Sequence, residues 1–151
     1  GSEMCIRDRE YVTDAPREHQ GLARAVIDAG ANGVLGHHPH VLQPIEVYKG
    51  APILYSMGNL IFDQRSLSRR QSGLFTMNWE RLDTGAWDLV ALDMLPIMLR
   101  GGRSGPTLAS IEEARPILDA AIRGAAVQNT RLVEREGRVH WTREESMSVP
   151  D

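Results

Sequence analysis

The sequence predicts an α/β fold built from layers of helices and sheets, and three patterns indicate it. A helical pattern over residues 15–30 runs directly into a short apolar stretch over residues 33–36, the arrangement of an αβ unit. Strand-like runs separated by glycine turns follow, and a second helical pattern covers residues 110–127. Hydrophobic residues make up 42% of the chain and charged residues 25%, which excludes wholesale disorder.

The first helix is predicted from apolar residues spaced along one helical face, at Leu22, Ala25, Val26 and Ala29. Asp14 is expected to cap its N-terminus, Pro16 suits the first turn, and Gly30 is a natural stop. The run over residues 33–36 then predicts a buried strand. Open α/β sheets place ligand sites at the carboxyl ends of their strands, so the residues that follow this run are candidate site residues.

Three hairpins are predicted from pairs of strand-like runs around turn residues. Their strands are expected at residues 45–48 and 52–56, at 73–79 and 87–94, and at 131–134 and 138–141. A loop is expected over residues 57–64, and a glycine-rich loop over residues 101–106. The helix over residues 110–127 follows, and Ser110 with Glu113 predicts a capping box at its start.

One domain is predicted over residues 10–143, between a leader at residues 1–9 and a flexible tail at residues 144–151. The leader carries alternating charges and is interpreted either as a non-native remnant or as a frayed native terminus. The most apolar run, residues 89–99, is too short to cross a bilayer, so no membrane segment is expected in this chain. The 17 basic and 20 acidic residues give a net charge of −3, which argues against a nucleic-acid surface.

Three of the five histidines fall within four positions, at His37, His38 and His40. Imidazole is the commonest metal-binding side chain, and its neutral form dominates near pH 7. His38 and His40 can aim two rings at one region, and Pro39 stiffens the backbone between them. Solvated loop histidines are the alternative interpretation. Because a catalytic zinc needs about three protein ligands, two imidazoles do not complete a site by themselves.

Three segments within residues 10–64 resemble a known family. They are the helix from Glu18-His19-Gln20 to Gly30, the run Gly36-His37-His38-Pro39-His40-Val41-Leu42-Gln43-Pro44 with Glu46-Val47-Tyr48-Lys49-Gly50, and Tyr55-Ser56-Met57-Gly58-Asn59-Leu60-Ile61-Phe62-Asp63-Gln64. Here the chain resembles the CapA family of capsule and poly-gamma-glutamate biosynthesis proteins, which is similar to calcineurin-type metallophosphoesterases. The resemblance implies the C-terminal part of a four-layer αββα fold. Beyond residue 64 the likeness is only general.

The same resemblance implies a site for two divalent metal ions, with zinc, manganese or iron as the candidates. At the matching positions, His38 and His40 are the implied metal ligands, and His37 is a substitute ligand or a donor to one of them. His37 is also the catalytic candidate, which would position substrate or move a proton. The family's earlier motifs, which bring an aspartate, an asparagine-histidine segment and a further histidine, do not precede Glu10. The chain is therefore predicted to be a truncated fragment that binds metal weakly by itself.

Three further residues are candidates for binding substrate. Asn59 and Asp63 belong to the family's glycine-asparagine loop, and Arg65 follows it. An arginine here suits an anionic substrate, either a phosphoester or an anionic polymer such as polyglutamate. The alternatives are ordinary turn chemistry for Asn59 and Asp63, and a solvated surface position for Arg65.

The resemblance implies a metal-dependent hydrolase-type protein of capsule or poly-gamma-glutamate biosynthesis. The metal ions would polarise a phosphoryl or carbonyl oxygen and activate a water molecule. It also implies the bacterial cell envelope, an anchor outside this chain, and contacts with other proteins of a capsule-synthesis complex. Two alternatives stay open: a non-catalytic envelope scaffold of a polymer-synthesis complex, and an inactive gene fragment that exposes a sheet edge.

Overall fold

The computed structural model describes residues 11–100 and 105–147, which form four helices and eight strands. The helices are α1 (Arg17–Asp28), α2 (Leu67–Arg70), α3 (Ile111–Val127) and α4 (Arg143–Met147). The strands are β1 (Val34–Leu35), β2 (Ile45–Tyr48), β3 (Ala51–Leu54), β4 (Gln71–Arg81), β5 (Trp87–Leu99), β6 (Pro106–Leu108), β7 (Val133–Arg135) and β8 (Arg138–Thr142). The predicted leader at residues 1–9 lies outside the described residues, as do most of the predicted glycine-rich loop and residues 148–151.

The strands form two sheets, which confirms the predicted α/β class. The smaller sheet has the order β1-β3-β2, with β1 parallel and β2 antiparallel to β3. The larger sheet is antiparallel in the order β4-β5-β8-β7, and β6 pairs with β5 beside this path. All three predicted hairpins are present. The helices α2 and α4 and the strand β6 were not predicted, because elements this short carry no periodic pattern. Residues 144–147 of the predicted flexible tail belong to α4.

Two apolar clusters hold these layers together. The helix α1 packs through Ala23 and Ile27 against one face of the small sheet, where they join Ile53. The opposite face of that sheet contributes Ile45 and Leu54 to a larger core shared with α3 and the five-stranded sheet. Successive side chains of a strand alternate between faces, so Ile53 and Leu54 enter different clusters. The central strand β3 is therefore buried on both sides.

The helix α1 buries a different face from the predicted one. Its buried side chains are Ala23 and Ile27, whereas Leu22 and Val26 of the predicted face are each 38% exposed. The predicted cap is also wrong, because Pro16 takes the N-cap position in place of Asp14 and no side chain caps the helix. Gly30 is confirmed as the stop, with a φ of +103°. Periodicity identified an apolar face but could not decide which face meets the sheet.

The strand β1 is confirmed at the predicted place, but the prediction that it is buried is wrong. Leu35 is 55% exposed, because β1 lies at the edge of the small sheet. Among the described residues its only strand neighbour is β3. The apolar run predicts a buried strand, whereas the observed strand is two residues long and has a neighbouring strand on one side only among the described residues.

The helix α3 is confirmed together with its capping box. The Glu113 N–H donates to Ser110 Oγ at 3.3 Å, and the Ser110 N–H donates to the Glu113 carboxylate at 2.9 Å. The helix continues through Pro116 for 17 residues. In the part of the chain that the structure describes, no helix combines the length and apolarity that a membrane crossing needs.

Candidate functional site

The two parallel strands of the small sheet bring the segments of residues 36–40 and 55–59 together. Because β1 and β3 run in the same direction, their carboxyl ends meet at one edge of the sheet. The Gly36 N–H donates to the Leu54 carbonyl at 2.7 Å, and the Met57 N–H donates to the Gly36 carbonyl at 3.3 Å. The histidine cluster therefore follows the carboxyl end of a strand, as predicted.

Two glycines allow this close approach. A Cβ on Gly36 would lie 2.1 Å from the carbonyl oxygen of Tyr55, so any other residue would collide with the main chain. Gly58 has a φ of +73°, and a Cβ there would lie 2.9 Å from Ser72 Oγ. Both positions therefore require glycine for steric reasons.

The chain after the histidines turns back along the same edge. The Gln43 N–H donates to the Ser56 carbonyl at 3.1 Å, so residues 41–44 run antiparallel to residues 55–57. The buried Gln43 amide also donates through Nε2 to the carbonyls of Val12 and Asp14, at 2.9 and 3.2 Å. These bonds fix the segment that precedes α1 against the histidine loop.

The backbone of the histidine loop is strained at both predicted metal ligands. His38 has a φ of +98° and His40 a φ of +59°, in the region that favours glycine. Each such residue costs on the order of 1–3 kcal/mol, and such conformations cluster at functional sites. Pro39 between them is buried, and its carbonyl accepts the Tyr11 N–H at 2.9 Å. The fold therefore holds these two histidines in place against a conformational cost.

The rings of His38 and His40 lie side by side. Their centroids are 6.2 Å apart, and the ring planes are tilted by 49°. A zinc–nitrogen bond of about 2.0–2.1 Å puts a ring centroid roughly 3.2 Å from the ion, so two rings on one ion are at most about 6.4 Å apart. The observed spacing is near the upper limit for one ion, and it also suits two ions about 3.5–4 Å apart.

The described residues supply only part of a metal site. Across residues 11–100 and 105–147, no group of three or more histidine, cysteine, aspartate or glutamate side chains lies close enough to hold an ion. Asp63 therefore does not complete the histidine pair. A catalytic zinc needs about three protein ligands. The two imidazoles can therefore serve as two ligands of such a site, but two ligands alone do not form a complete metal site.

His40 is held by Asn59, which is 7% exposed. The ring nitrogen Nδ1 of His40 lies 2.8 Å from Asn59 Oδ1, and Asn59 Nδ2 donates to the His40 carbonyl at 2.9 Å. The same Nδ2 donates to the Arg69 carbonyl at 3.1 Å. Asn59 thus ties the histidine loop to α2. It was predicted to bind substrate, and that role stays a prediction.

Aromatic rings surround His40, and sequence reasoning missed their part in the site. The Phe62 ring lies 5.1 Å from the His40 ring and the Tyr11 ring 6.5 Å, measured between centroids. The Arg69 guanidinium lies 3.4 Å from the Tyr11 ring centroid. Phe62 follows Asn59 in the quoted segment, but nothing local in the sequence pairs it with a histidine. The parallel strands bring Phe62 close to His40, and the hydrogen bond from the Tyr11 N–H to the Pro39 carbonyl holds Tyr11 there.

The other predicted site residues lie further towards solvent. His37 is exposed, and its ring makes no hydrogen bond or ring contact within the described part of the chain. Asp63 and Arg65 are exposed in the loop between Asn59 and α2. The catalytic role of His37 and the substrate-binding roles of Asp63 and Arg65 stay predictions.

A buried charged network supports the small sheet beneath the site. Glu46 is 2% exposed, and its carboxylate accepts two hydrogen bonds. One comes from the Tyr55 hydroxyl and the other from the Arg24 Nε–H, at 2.8 Å. Burial, and then the hydrogen bond to Glu46, raises the pKa of Tyr55. Arg24 also donates to Gln128 Oε1 at 3.2 Å, just after α3. The network therefore joins α1 and the C-terminal end of α3 to the small sheet.

The fold and the site together define a class of protein. It is an α/β protein with two imidazoles at the carboxyl edge of its parallel strands. Residues 8–64 match the family profile PGA_cap, described as bacterial capsule synthesis protein. Over these residues the chain is similar to the CapA family of capsule synthesis proteins. The matched range contains every predicted site residue except Arg65.

Curated relatives extend the similarity beyond residue 64. The chain is 44% identical over 86 residues to the PGA biosynthesis protein CapA of Bacillus subtilis (strain 168), covering 57% of the chain and 23% of that protein. It is 36% identical over 106 residues to the capsule biosynthesis protein CapA of Bacillus anthracis, covering 70% of the chain and 25% of that protein. A probable polyglutamine synthesis accessory protein of Mycobacterium tuberculosis (strain ATCC 25618 / H37Rv) is 36% identical over 79 residues, covering 50% of the chain and 21% of that protein. The chain thus spans about a quarter of the length of the two Bacillus relatives.

Proposed function

We propose that this chain supplies part of a hydrolase-type site for divalent metal ions in a CapA-like protein of poly-gamma-glutamate or capsule biosynthesis. The observation that carries the proposal is the strained His38–His40 pair at the carboxyl ends of two parallel strands. Strained backbone at a ligand-type pair is typical of a functional site rather than of a solvated loop. The names of the Bacillus relatives support the biological process.

A divalent cation bound there, with zinc, manganese or iron as candidates, would supply Lewis-acid chemistry to a phosphoryl or carbonyl oxygen. His38 and His40 would contribute two of its ligands. The other ligands, and a second ion, would need residues outside the described ranges. We therefore expect weak metal affinity for this chain by itself.

The chain's own residues suit an anionic substrate beside the histidine pair. Arg65 is exposed on the loop that follows Asn59, and Arg69 and Arg70 lie close behind it in α2. Guanidinium groups bind carboxylates and phosphates through paired N–H donors. His37, exposed next to the pair, would exchange a proton with substrate or solvent. Location at the cell envelope and contacts with capsule-synthesis proteins belong to the same proposal.

Titration calorimetry with zinc or manganese tests the metal-binding part. The wild-type chain is expected to bind weakly, and both His38→Ala and His40→Ala should abolish the measurable heat. His19→Ala is the matched control, because His19 lies on α1 away from the pair. Equal binding by all four proteins would reject the pair as ligands. Submicromolar binding of two ions would contradict the expected weak affinity.

A non-catalytic scaffold is the second candidate, and the lack of a third ligand among the described residues favours it. An assay of a full-length relative, the CapA protein of Bacillus subtilis, distinguishes the two candidates. The assay measures hydrolysis of a generic phosphodiester in the presence of manganese. Hydrolysis that is lost when the histidines aligned with His38 and His40 become alanine supports the enzyme. Bound manganese without hydrolysis supports the scaffold.

A further inference from the structure

The side-chain amide of Asn59 has one orientation that its neighbours permit. Its Nδ2 atom lies 2.9 Å from the His40 carbonyl oxygen and 3.1 Å from the Arg69 carbonyl oxygen. Carbonyl oxygens only accept hydrogen bonds, so the amide atom that faces both of them must be the nitrogen. A flipped amide would place its oxygen against two other oxygens. The main chain therefore fixes the amide, although nitrogen and oxygen look alike in shape.

This orientation decides which nitrogen of the His40 ring carries the proton. With Nδ2 of Asn59 turned to the two carbonyls, Oδ1 faces the His40 Nδ1 atom at 2.8 Å. An amide oxygen can only accept, so Nδ1 of His40 must donate. In a neutral imidazole the other nitrogen, Nε2, then holds the free lone pair. His38 has no comparable partner for its ring among the described residues.

We infer that Asn59 is a positioning residue that holds neutral His40 as the Nδ1–H tautomer and presents its Nε2 to a divalent metal ion. Metal-binding histidines generally donate their second ring nitrogen to an acceptor, which fixes the tautomer and the ring orientation. Phe62 and Tyr11 flank the ring and limit its rotation. The part of the inference that concerns metal rests on the proposed function, whereas the tautomer does not.

Nitrogen-15 NMR of the metal-free chain tests the tautomer directly, at about pH 8.5, where an ordinary imidazole is neutral. In the wild type, the ring shifts of His40 should report Nδ1–H as the dominant form. Asn59→Ala removes the acceptor and should give a mixture of tautomers. Asn59→Asp keeps an acceptor for Nδ1 and should retain Nδ1–H, although it loses the donor to the two carbonyls. A wild-type ring that is mainly Nε2–H, or an unchanged tautomer in Asn59→Ala, would overturn the inference.

Gln43→Ala is the matched control for this experiment. Gln43 is also a buried amide that donates to two main-chain carbonyls near the site, but among the described residues its side chain makes no hydrogen bond to a histidine. Its replacement should leave the tautomer of His40 unchanged. An equal change in Gln43→Ala and Asn59→Ala would attribute the effect to general loosening and reject the inference. If Asn59→Ala loses its dispersed amide spectrum, that variant is unfolded and Asn59→Asp becomes the deciding variant. Loss of the Nδ1–H tautomer in folded Asn59→Asp rejects the inference, and its retention supports the inference.

Zinc titration separates the inference from the proposed function. Loss of such an orienting partner typically weakens metal binding about 10- to 100-fold, and Asn59→Ala is expected to do so with both histidines intact. Equal zinc affinity in the wild type and Asn59→Ala would reject the positioning role and leave the proposed function in place. If His40 is fixed as the Nδ1–H tautomer but His40→Ala leaves the zinc affinity unchanged, the proposed function is rejected. The hydrogen bond between Asn59 and His40 would still stand.

Discussion

The carboxyl edge of the small sheet and the five-stranded sheet are stabilised in different ways. The large sheet pairs long antiparallel strands over a core of fully buried side chains such as Leu92 and Val139. The edge of the small sheet places His38 and His40 in strained conformations and leaves Leu60, Ile61 and Phe62 exposed. Packing thus stabilises one region, while hydrogen bonds and tight turns fix the other. Substitutions in the large sheet and at the edge of the small sheet should therefore have different effects on the free energy of unfolding.

The largest loss of stability is expected from Leu92→Ala in the large sheet. Leu92 is completely buried in the core, so the truncation should lower the free energy of unfolding by about 2–5 kcal/mol. Urea denaturation measures the change. The control Leu74→Ala, at a position on β4 that is 44% exposed, should cost less than about 1 kcal/mol. Equal losses at the two positions would mean that the core does not lie between the sheets as described.

A smaller loss is expected from Glu46→Ala in the buried network below the site. The substitution leaves the Tyr55 hydroxyl without its partner, while Arg24, whose side chain is 36% exposed, can regain water. We expect a decrease of about 2 kcal/mol in the free energy of unfolding.

The exposed pair Lys49–Asp28 is the control for that prediction. Their side chains are 63% and 44% exposed, so Asp28→Asn should cost less than about 0.5 kcal/mol. If Glu46→Ala cost no more than Asp28→Asn in the same urea titration, the buried network would contribute little to stability.

A gain in stability is expected from His38→Gly, at the site. Glycine accepts a φ of +98° without the steric cost that a Cβ brings, so the free energy of unfolding should rise by about 1 kcal/mol. Zinc binding should be lost in the same variant. Glu136→Gly in the hairpin turn between β7 and β8, where φ is +51°, should gain less, because that angle is closer to the left-handed minimum at about +57° than the φ of +98° at His38. A destabilised His38→Gly chain would show that His38 contributes packing and carries no strain.

The smallest effects concern the pH dependence of stability. Glu113 on α3 and Tyr55 in the small sheet should lose their stabilising contributions at opposite ends of the pH scale. The Arg100 guanidinium and then the Ser110 N–H lower the pKa of Glu113 to about 2. Its stabilising contribution is therefore present above the unfolded pKa of about 4.3 and is lost as pH falls towards 2. The pKa of Tyr55 is raised, so its contribution is present below the unfolded value of about 10 and is lost at higher pH.

Melting temperatures across pH test both signs. Glu113→Gln should flatten the acid side of the profile and leave the alkaline side unchanged, and Tyr55→Phe should do the reverse. A profile of Glu113→Gln that still falls as steeply as the wild type between about pH 4 and pH 2 would contradict the assigned cause.

The sequence predicted the hairpins, α3 and its capping box because turn residues, alternation and the Ser110–Glu113 spacing are local signals. It also predicted that the histidines follow a strand end. It did not predict which face of α1 is buried, since both faces carry apolar residues and the choice depends on the sheet. The hydrogen bonds between Asn59 and His40 join residues 19 apart along the chain, and only the pairing of β1 with β3 creates them.

The free side of β1 has a consequence for the chain in solution. Among residues 11–100 and 105–147, nothing pairs with the outer side of this short edge strand, so its N–H and C=O groups and the exposed Leu35 are open to an extended polypeptide. The exposed Leu22 and Val26 lie on the neighbouring helix α1. A strand that docked there in parallel would deliver its own last residues directly beside His38 and His40.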